Sequence, residues 1–271
     1  MKNYIGVTGI ANISDNVTTA KSIMESGLDF YINKPHVTIG FLVNSKTLHR
    51  IPAKEEKIPH QRYAPVSSLR RIMEYSKKYA LNSIHFSAKE DDNLDEEIKQ
   101  IFQEGNIYKD YLCRTLQLNV ALPGKRRLEN ILKEFPEMSI ILQISKKVLE
   151  DKENIAEKIK DYSGLIQGIL IDASGGKGKE LDIDLSAEIY NRVKEKSPGL
   201  VIGIAGGLNP WNVQEKIKLF REKIKSKDFS IDAEKGLRIY EEDQNGNIII
   251  DMLDPNLVRE YILHAMRGFE N

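Results

Sequence analysis

Short runs of β-branched and other apolar residues alternate along the whole chain with stretches whose apolar positions recur every three or four residues. The first kind reads as strand at 5–10, 37–43, 83–88, 116–122, 139–145, 167–172, 200–205 and 229–233. The second reads as helix at 17–26, 66–79, 94–103, 126–134, 154–162, 186–196, 211–225 and 255–267. Strict alternation implies a parallel α/β sheet with right-handed crossovers, and eight such pairs close into a (β/α)8, or TIM, barrel. An open doubly wound sheet is the rival arrangement. Asn209-Pro210 and Asp254-Pro255 read as helix starts, and Pro198-Gly199 separates the sixth helix from the seventh strand. Two segments are longer than ordinary loops. Residues 44–65 form a long connection after the second strand, rich in basic side chains that include Arg50 and Arg62 and placed where a lid over a site would sit. Residues 237–253 read as a hairpin after the eighth strand, because Asn245-Gly246 sits between two extended apolar runs. Neither resembles a domain boundary, so 1–271 is expected to be one domain.

Strand parity sharpens this picture, because alternate residues point to opposite faces. One parity is apolar and should pack under the helices: Ile39 and Phe41, Ile84 and Phe86, Leu142 and Ile144, Ile202 and Ile204 are examples. The other parity carries Thr8, Asn44, His85, Gln117, Gln143, Asp172 and Asp232, so every strand except the seventh should send a polar group toward the barrel axis. A buried polar group left unpaired costs on the order of 1–3 kcal/mol. So many together imply either a self-satisfied polar core or a wet pocket, and the C-terminal end of this fold is where pockets form.

Composition narrows the partners. The chain has 271 residues with forty basic and forty acidic side chains, which gives no overall electrostatic footprint for nucleic acid or an anionic membrane. No apolar run approaches a membrane span, and the start runs into the strand-like residues 4–7 without an apolar leader. The single cysteine, Cys113, fits a reducing compartment, and a cytoplasmic location is expected. Three glycine turns follow the last three strands: Gly175, Gly176 and Gly178 after Asp172, Gly206 and Gly207 after Ala205, and Gly236 after Asp232. Glycine lets bare backbone N–H groups approach an anion, and the loops after strands seven and eight are the usual phosphate grip of this fold. A small phosphorylated ligand is therefore expected. A metal held by His85, Asp172 and Asp232 would want more nitrogen ligands, so no metal or cofactor is expected. Nothing in the sequence sets the oligomeric state.

These residues together resemble phosphoribosylanthranilate isomerase of tryptophan biosynthesis. The segment 205–213, Ala-Gly-Gly-Leu-Asn-Pro-Trp-Asn-Val, is similar to that family's turn almost residue for residue, and the segments 170–182 and 231–237 match its patterns more loosely, with Lys235 where the family has serine. The resemblance covers roughly the last 110 residues and implies an Amadori rearrangement, in which an acid opens the sugar ring and a base removes the C2 proton. It implies that Asp172 is the acid. The family's base is a strand-one cysteine, and here that position is Thr8, a hydroxyl far too weakly acidic to serve at neutral pH. The third-strand motif reads His85-Phe86-Ser87-Ala88, and Arg50 is the nearest counterpart of a loop arginine expected to hold a substrate carboxylate. The expectation is an isomerase of a phosphorylated sugar or phosphoribosyl compound, with Asp172 as acid and His85 or Asp232 as a new base. The alternative is a non-catalytic phosphate-ligand-binding or interaction protein on a degenerate isomerase scaffold.

Overall fold

The computed structural model describes residues 2–25, 35–49, 62–151, 153–172, 180–226, 228–245 and 248–270. Eight parallel strands close on one another: β1 (Tyr4–Thr8), β2 (His36–Asn44), β3 (Leu81–Ser87), β4 (Thr115–Asn119), β5 (Ser139–Ser145), β6 (Gly168–Asp172), β7 (Val201–Ala205) and β8 (Ser230–Ala233). β8 returns to β1 with Gly6 opposite Asp232. The helices between them are α1 (Ile13–Glu25), α2 (Ser45–Leu48), α3 (Leu69–Ser76), α4 (Leu94–Glu104), α5 (Lys125–Glu134), α6 (Lys146–Leu149), α7 (Ile155–Lys160), α8 (Ile183–Lys196), α9 (Val213–Lys223) and α10 (Pro255–Glu270). A closed barrel is what the sequence pattern implies, and the open sheet is excluded.

The apolar parity packs outward. Ile5, Val7, Ile39, Phe41, Ile84 and Phe86 are fully buried in the main core with Ile202, Ile204 and Ile231. Inside the barrel a smaller apolar plug of Tyr4, Ile141, Leu170 and Ala205 fills the axis, so the interior is packed below and polar above. Burying about 25 cal/mol per Å² of apolar surface makes this two-sided packing the main stabilising contribution.

Several boundaries move for local reasons. β1 stops at Thr8 rather than residue 10 because Gly9 turns at φ +96° and gives its N–H to Gly40 O. β4 stops at Asn119 rather than 122, where Leu122 takes φ 44° ahead of Pro123. The helix expected from 211 starts at Val213, because Asn212 is its cap and Asn209 Oδ1 accepts from the N–H groups of Trp211 and Asn212. Short α2 and α6 directly follow β2 and β5; the alternation pattern is too coarse to show single helical turns. The expected hairpin is present as β9 (Arg238–Glu242) and β10 (Ile248–Leu253), antiparallel, with a bulge between Ile248 and Ile250. Its Gly246 lies outside the described residues.

Among the described residues no helix is long and apolar enough to cross a membrane.

Candidate functional site

At the C-terminal ends of the strands, Thr8, His85, Gln117, Gln143, Asp172 and Asp232 line one cavity of about 220 Å³. All except the half-buried Gln143 are buried. They form a polar arc around the barrel. Thr8 Oγ1–H donates to Asp232 Oδ1 at 2.9 Å, and the same oxygen lies 3.3 Å from His85 Nδ1. Gln117 Nε2 lies 3.3 Å from that Nδ1 and donates to Gln143 Oε1 at 3.2 Å. Gln143 Nε2 in turn donates to Asp172 Oδ2 at 2.8 Å. Thr8 has one hydroxyl hydrogen and gives it to Asp232, so this network assigns Gln117 as donor to Nδ1 and leaves the imidazole proton on Nε2. The arc thus runs from Asp232 to Asp172 across six strands, with Thr8 and His85 in close contact but no proton between Thr8 Oγ1 and Nδ1.

Two glycines make room for it. A Cβ at Gly40 would sit 2.4 Å from Thr8 Oγ1 and 2.6 Å from His85 Cε1, and a Cβ at Gly6 would sit 2.1 Å from Asp232 Oδ1. β2 therefore adds no polar group to the arc. Asn44, expected on the axis, instead caps α2 by accepting from Thr47 N–H at 2.8 Å. A capping side chain near a helix N-terminus satisfies an orphan backbone donor, and that local demand wins over the strand parity.

Burial sets the electrostatics. The Asp232 carboxyl is pushed up to about 7, by loss of water first and then by the nearby negative charges of Glu234 and Asp172, against the hydrogen bond from Thr8. Burial pushes the His85 imidazole down to about 3, so it is neutral. Cys113 is buried at the other end of β4 with its thiol pushed up to about 12, which removes it as a thiolate source.

The glycine turns meet at the rim. Gly206 and Gly207 hold positive φ of 125° and 59°, a conformation glycine adopts at no steric cost, and both line the cavity. Asn212 Nδ2 fixes this turn by donating to Gly207 O at 2.9 Å. Gly236, from the loop after β8, packs directly on it: a Cβ there would lie 2.1 Å from Leu208 O. Two loops that are adjacent only in space thus present their backbones to one rim. Gly175, Gly176 and Gly178 lie in 173–179, outside the described residues, as does Arg50.

The same cavity is lined by groups to which the sequence assigned no role. Arg62, from the long connection after β2, lines the cavity with Tyr63, whose backbone bridges to Leu42. Arg62 donates through Nη1 to Glu234 Oε1 at 2.9 Å and through Nε to Asp251 Oδ2 at 2.5 Å. Asp251, on β10, takes a second arginine on its other oxygen, Arg238 Nε at 2.5 Å. Arg238 also donates to Gly9 O at 2.9 Å, which ties the hairpin to the end of β1. Burial pushes the Glu234 carboxyl up, and the two arginines pull it partly back; Asp251 is held below the ordinary range by hydrogen bonds from both arginines despite its burial. The signal for Glu234 was present in its place two residues after Asp232; nothing local pointed to Arg62 among the many basic residues of its loop.

The family model described as N-(5'-phosphoribosyl)anthranilate (PRA) isomerase matches residues 75–236. The N-(5'-phosphoribosyl)anthranilate isomerase of Methanococcus aeolicus is 33% identical over 92 residues, which is 34% of this chain and 39% of the relative. That of Pyrococcus furiosus is 28% identical over 122 residues, 45% of this chain and 47% of the relative. The chain thus matches less than half the length of either relative. A crystal structure of phosphoribosyl anthranilate isomerase in complex with reduced 1-(o-carboxyphenylamino)-1-deoxyribulose 5-phosphate superimposes with a TM-score of 0.59 over 98% of both chains at 17% identity, a likeness of fold.

Proposed function

The chain belongs to the N-(5'-phosphoribosyl)anthranilate isomerase family, and from that membership we propose that it isomerises a phosphorylated sugar or phosphoribosyl amine between Asp172 and Asp232. The phosphate end of the substrate lies against the backbone N–H groups of the Gly206-Gly207 and Gly236 turns, where bare amides meet an anion without steric cost. Asp172 delivers a proton to the ring oxygen, so the sugar opens and the C1–nitrogen bond becomes an iminium. Asp232 then removes the C2 proton, and the electron pair of that C–H bond neutralises the iminium as the enolamine forms.

The observation that carries this reading is the Asp232 carboxyl itself. Held at about 7 and fixed by the Thr8 hydroxyl at 2.9 Å, it is largely ionised just above neutral pH and is a stronger base than an ordinary carboxylate. Thr8 is then a positioning residue where the family has its base. His85 is the weaker candidate, because an imidazole driven down to about 3 has little affinity for a proton. The departure at Thr8 also favours a second reading, a phosphate-ligand-binding protein without catalysis. A panel of phosphoribosyl amines, phosphoribosylanthranilate included and each deuterated at C2, separates the two. Loss of the label to water with at least one member supports the isomerase. Binding without label loss across the panel supports the binding protein.

A further inference from the structure

The hydrogen bond from Thr8 to Asp232 spans the seam where the barrel closes. The β1–β8 ladder runs from Ile5 opposite Ile231 to Val7 opposite Ala233, so Thr8 lies just beyond its last paired position. On the β2 side the tip of β1 is held by backbone. Thr8 is in register with Gly40, and Gly9 donates its N–H to Gly40 O at 3.0 Å. Across the seam the tip is held by a side chain, because Arg238 Nη1 donates to Gly9 O at 2.9 Å. The Arg238 side chain is fully buried, and one residue fixes its other edge: Nε donates to Asp251 Oδ1 at 2.5 Å and Nη2 to Asp251 O at 2.9 Å. The planar guanidinium is thus set by the hairpin and reaches residue 9 in a defined direction. The turn is shaped to receive it. Gly9 holds φ +96°, and a Cβ there would come within 2.8 Å of Arg238 Nη1.

We propose that Arg238 is a positioning residue for proton removal: by clamping Gly9 O it holds the tip of β1 where the Thr8 hydroxyl meets Asp232. This rests on the reading above that Asp232 takes the C2 proton. The placement of a base governs its rate, since a displacement of about 1 Å can cost on the order of 10²-fold. Glycine has the widest backbone freedom of any residue, so a contact from outside must restrict Gly9 if its neighbour Thr8 is to stay in place. Arg238 follows Asp232 through the single turn Lys235–Leu237, so one short segment carries both the carboxylate and the clamp. The hairpin, a separate two-stranded sheet outside the barrel, thereby acts on the barrel's axis.

The test is a double-mutant cycle between Thr8→Val and Arg238→Gln, read as deuterium loss from C2 of the phosphoribosyl amines above across a range of pH. Glutamine is too short to span from Asp251 to Gly9, so Arg238→Gln opens the clamp. Alone, it is expected to slow label loss by about tenfold or more, with inorganic phosphate affinity held within about threefold. The apparent pKa of the rate profile is expected to rise, because the Thr8 hydrogen bond lowers Asp232 and is lost. In the Thr8→Val background, Arg238→Gln adds less than about twofold, since the group it positions is already gone. Should Arg238→Gln fail to fold by circular dichroism, Arg238→Lys takes its place, because it keeps a cation beside Asp251 but lacks the fork that spans Asp251 and Gly9. An Arg238 effect undiminished in the Thr8→Val background overturns the proposal, because a lost charge or a general loosening acts without Thr8. So does label loss that Thr8→Val slows and the Arg238 variant does not. Label loss that Thr8→Val leaves unchanged removes the link through which Arg238 acts. If wild type loses no label from any member of the panel, the isomerase reading itself falls and this proposal with it.

Discussion

On the proposed reading, the hydroxyl of Thr8 leaves the proton removal to another group. Thr8 gives its only proton to Asp232 and so orients that carboxylate. The cost falls on stability. Holding the Asp232 carboxyl at about 7 rather than 3.8 means the native state keeps its proton more tightly than the unfolded chain does. Stability therefore falls as pH rises from about 4 through about 7, by on the order of 4 kcal/mol when the group is fully ionised. Asp232→Asn removes that dependence. Urea denaturation is expected to find the variant more stable than wild type at pH 8, by about 1–3 kcal/mol, with the gap closing at pH 5. A variant destabilised equally at both pH values would contradict the raised carboxyl. The positions of Thr8, His85, Asp172 and Asp232 on the barrel axis were legible from strand parity. Their linkage was not, because Thr8 and Asp232 are 224 residues apart and a single methyl group at residue 40 would prevent it.

Among the elements, the seventh and eighth strand loops were readable from their glycines, but their mutual contact was not. Gly236 rests on Leu208 O, so its missing Cβ is what lets the two turns share a rim. Gly236→Ala is expected to cost about 1–3 kcal/mol of stability, from forced displacement of a backbone carbonyl, and to weaken inorganic phosphate binding roughly tenfold or more. Calorimetric phosphate titration checks the second figure; unchanged affinity would separate Gly236 from the anion. Gly40→Ala makes the complementary case on β2. Its Cβ would meet Thr8 and His85, and a loss of activity with phosphate affinity retained is the expected pattern, read from steady-state turnover beside the same titration. Strand β5 was read residue for residue, since a buried strand of alternating faces announces both ends. The single-turn helices α2 and α6 were missed, because one turn carries no periodicity to read.

For the whole molecule, the balance of forty basic and forty acidic residues conceals a local arrangement in which charge is spent at one place. The Arg62, Glu234, Asp251 and Arg238 cluster joins the β2 connection to the hairpin across 189 residues of sequence, and no window along the chain could reveal it. The barrel's alternation is a local signal repeated eight times, which is why it was legible. The cluster is a property of closure, which is why it was not. Asp251→Ala leaves two arginines without their shared partner and is expected to destabilise by about 3–5 kcal/mol in urea denaturation, because a buried charge loses its counter-ion. A change below about 1 kcal/mol would show the cluster to be ordinary surface pairing.

The account turns on Asp232 taking the C2 proton. The most direct measurement is the rate of deuterium loss from C2 of a turned-over phosphoribosyl amine, followed by NMR from pH 5 to 9 in wild type and in Asp232→Asn. Loss that rises with pH through an apparent pKa near 7, and falls by about 10²-fold or more in the variant while ligand binding persists, is the result expected. Deuterium loss that continues undiminished in Asp232→Asn would contradict it.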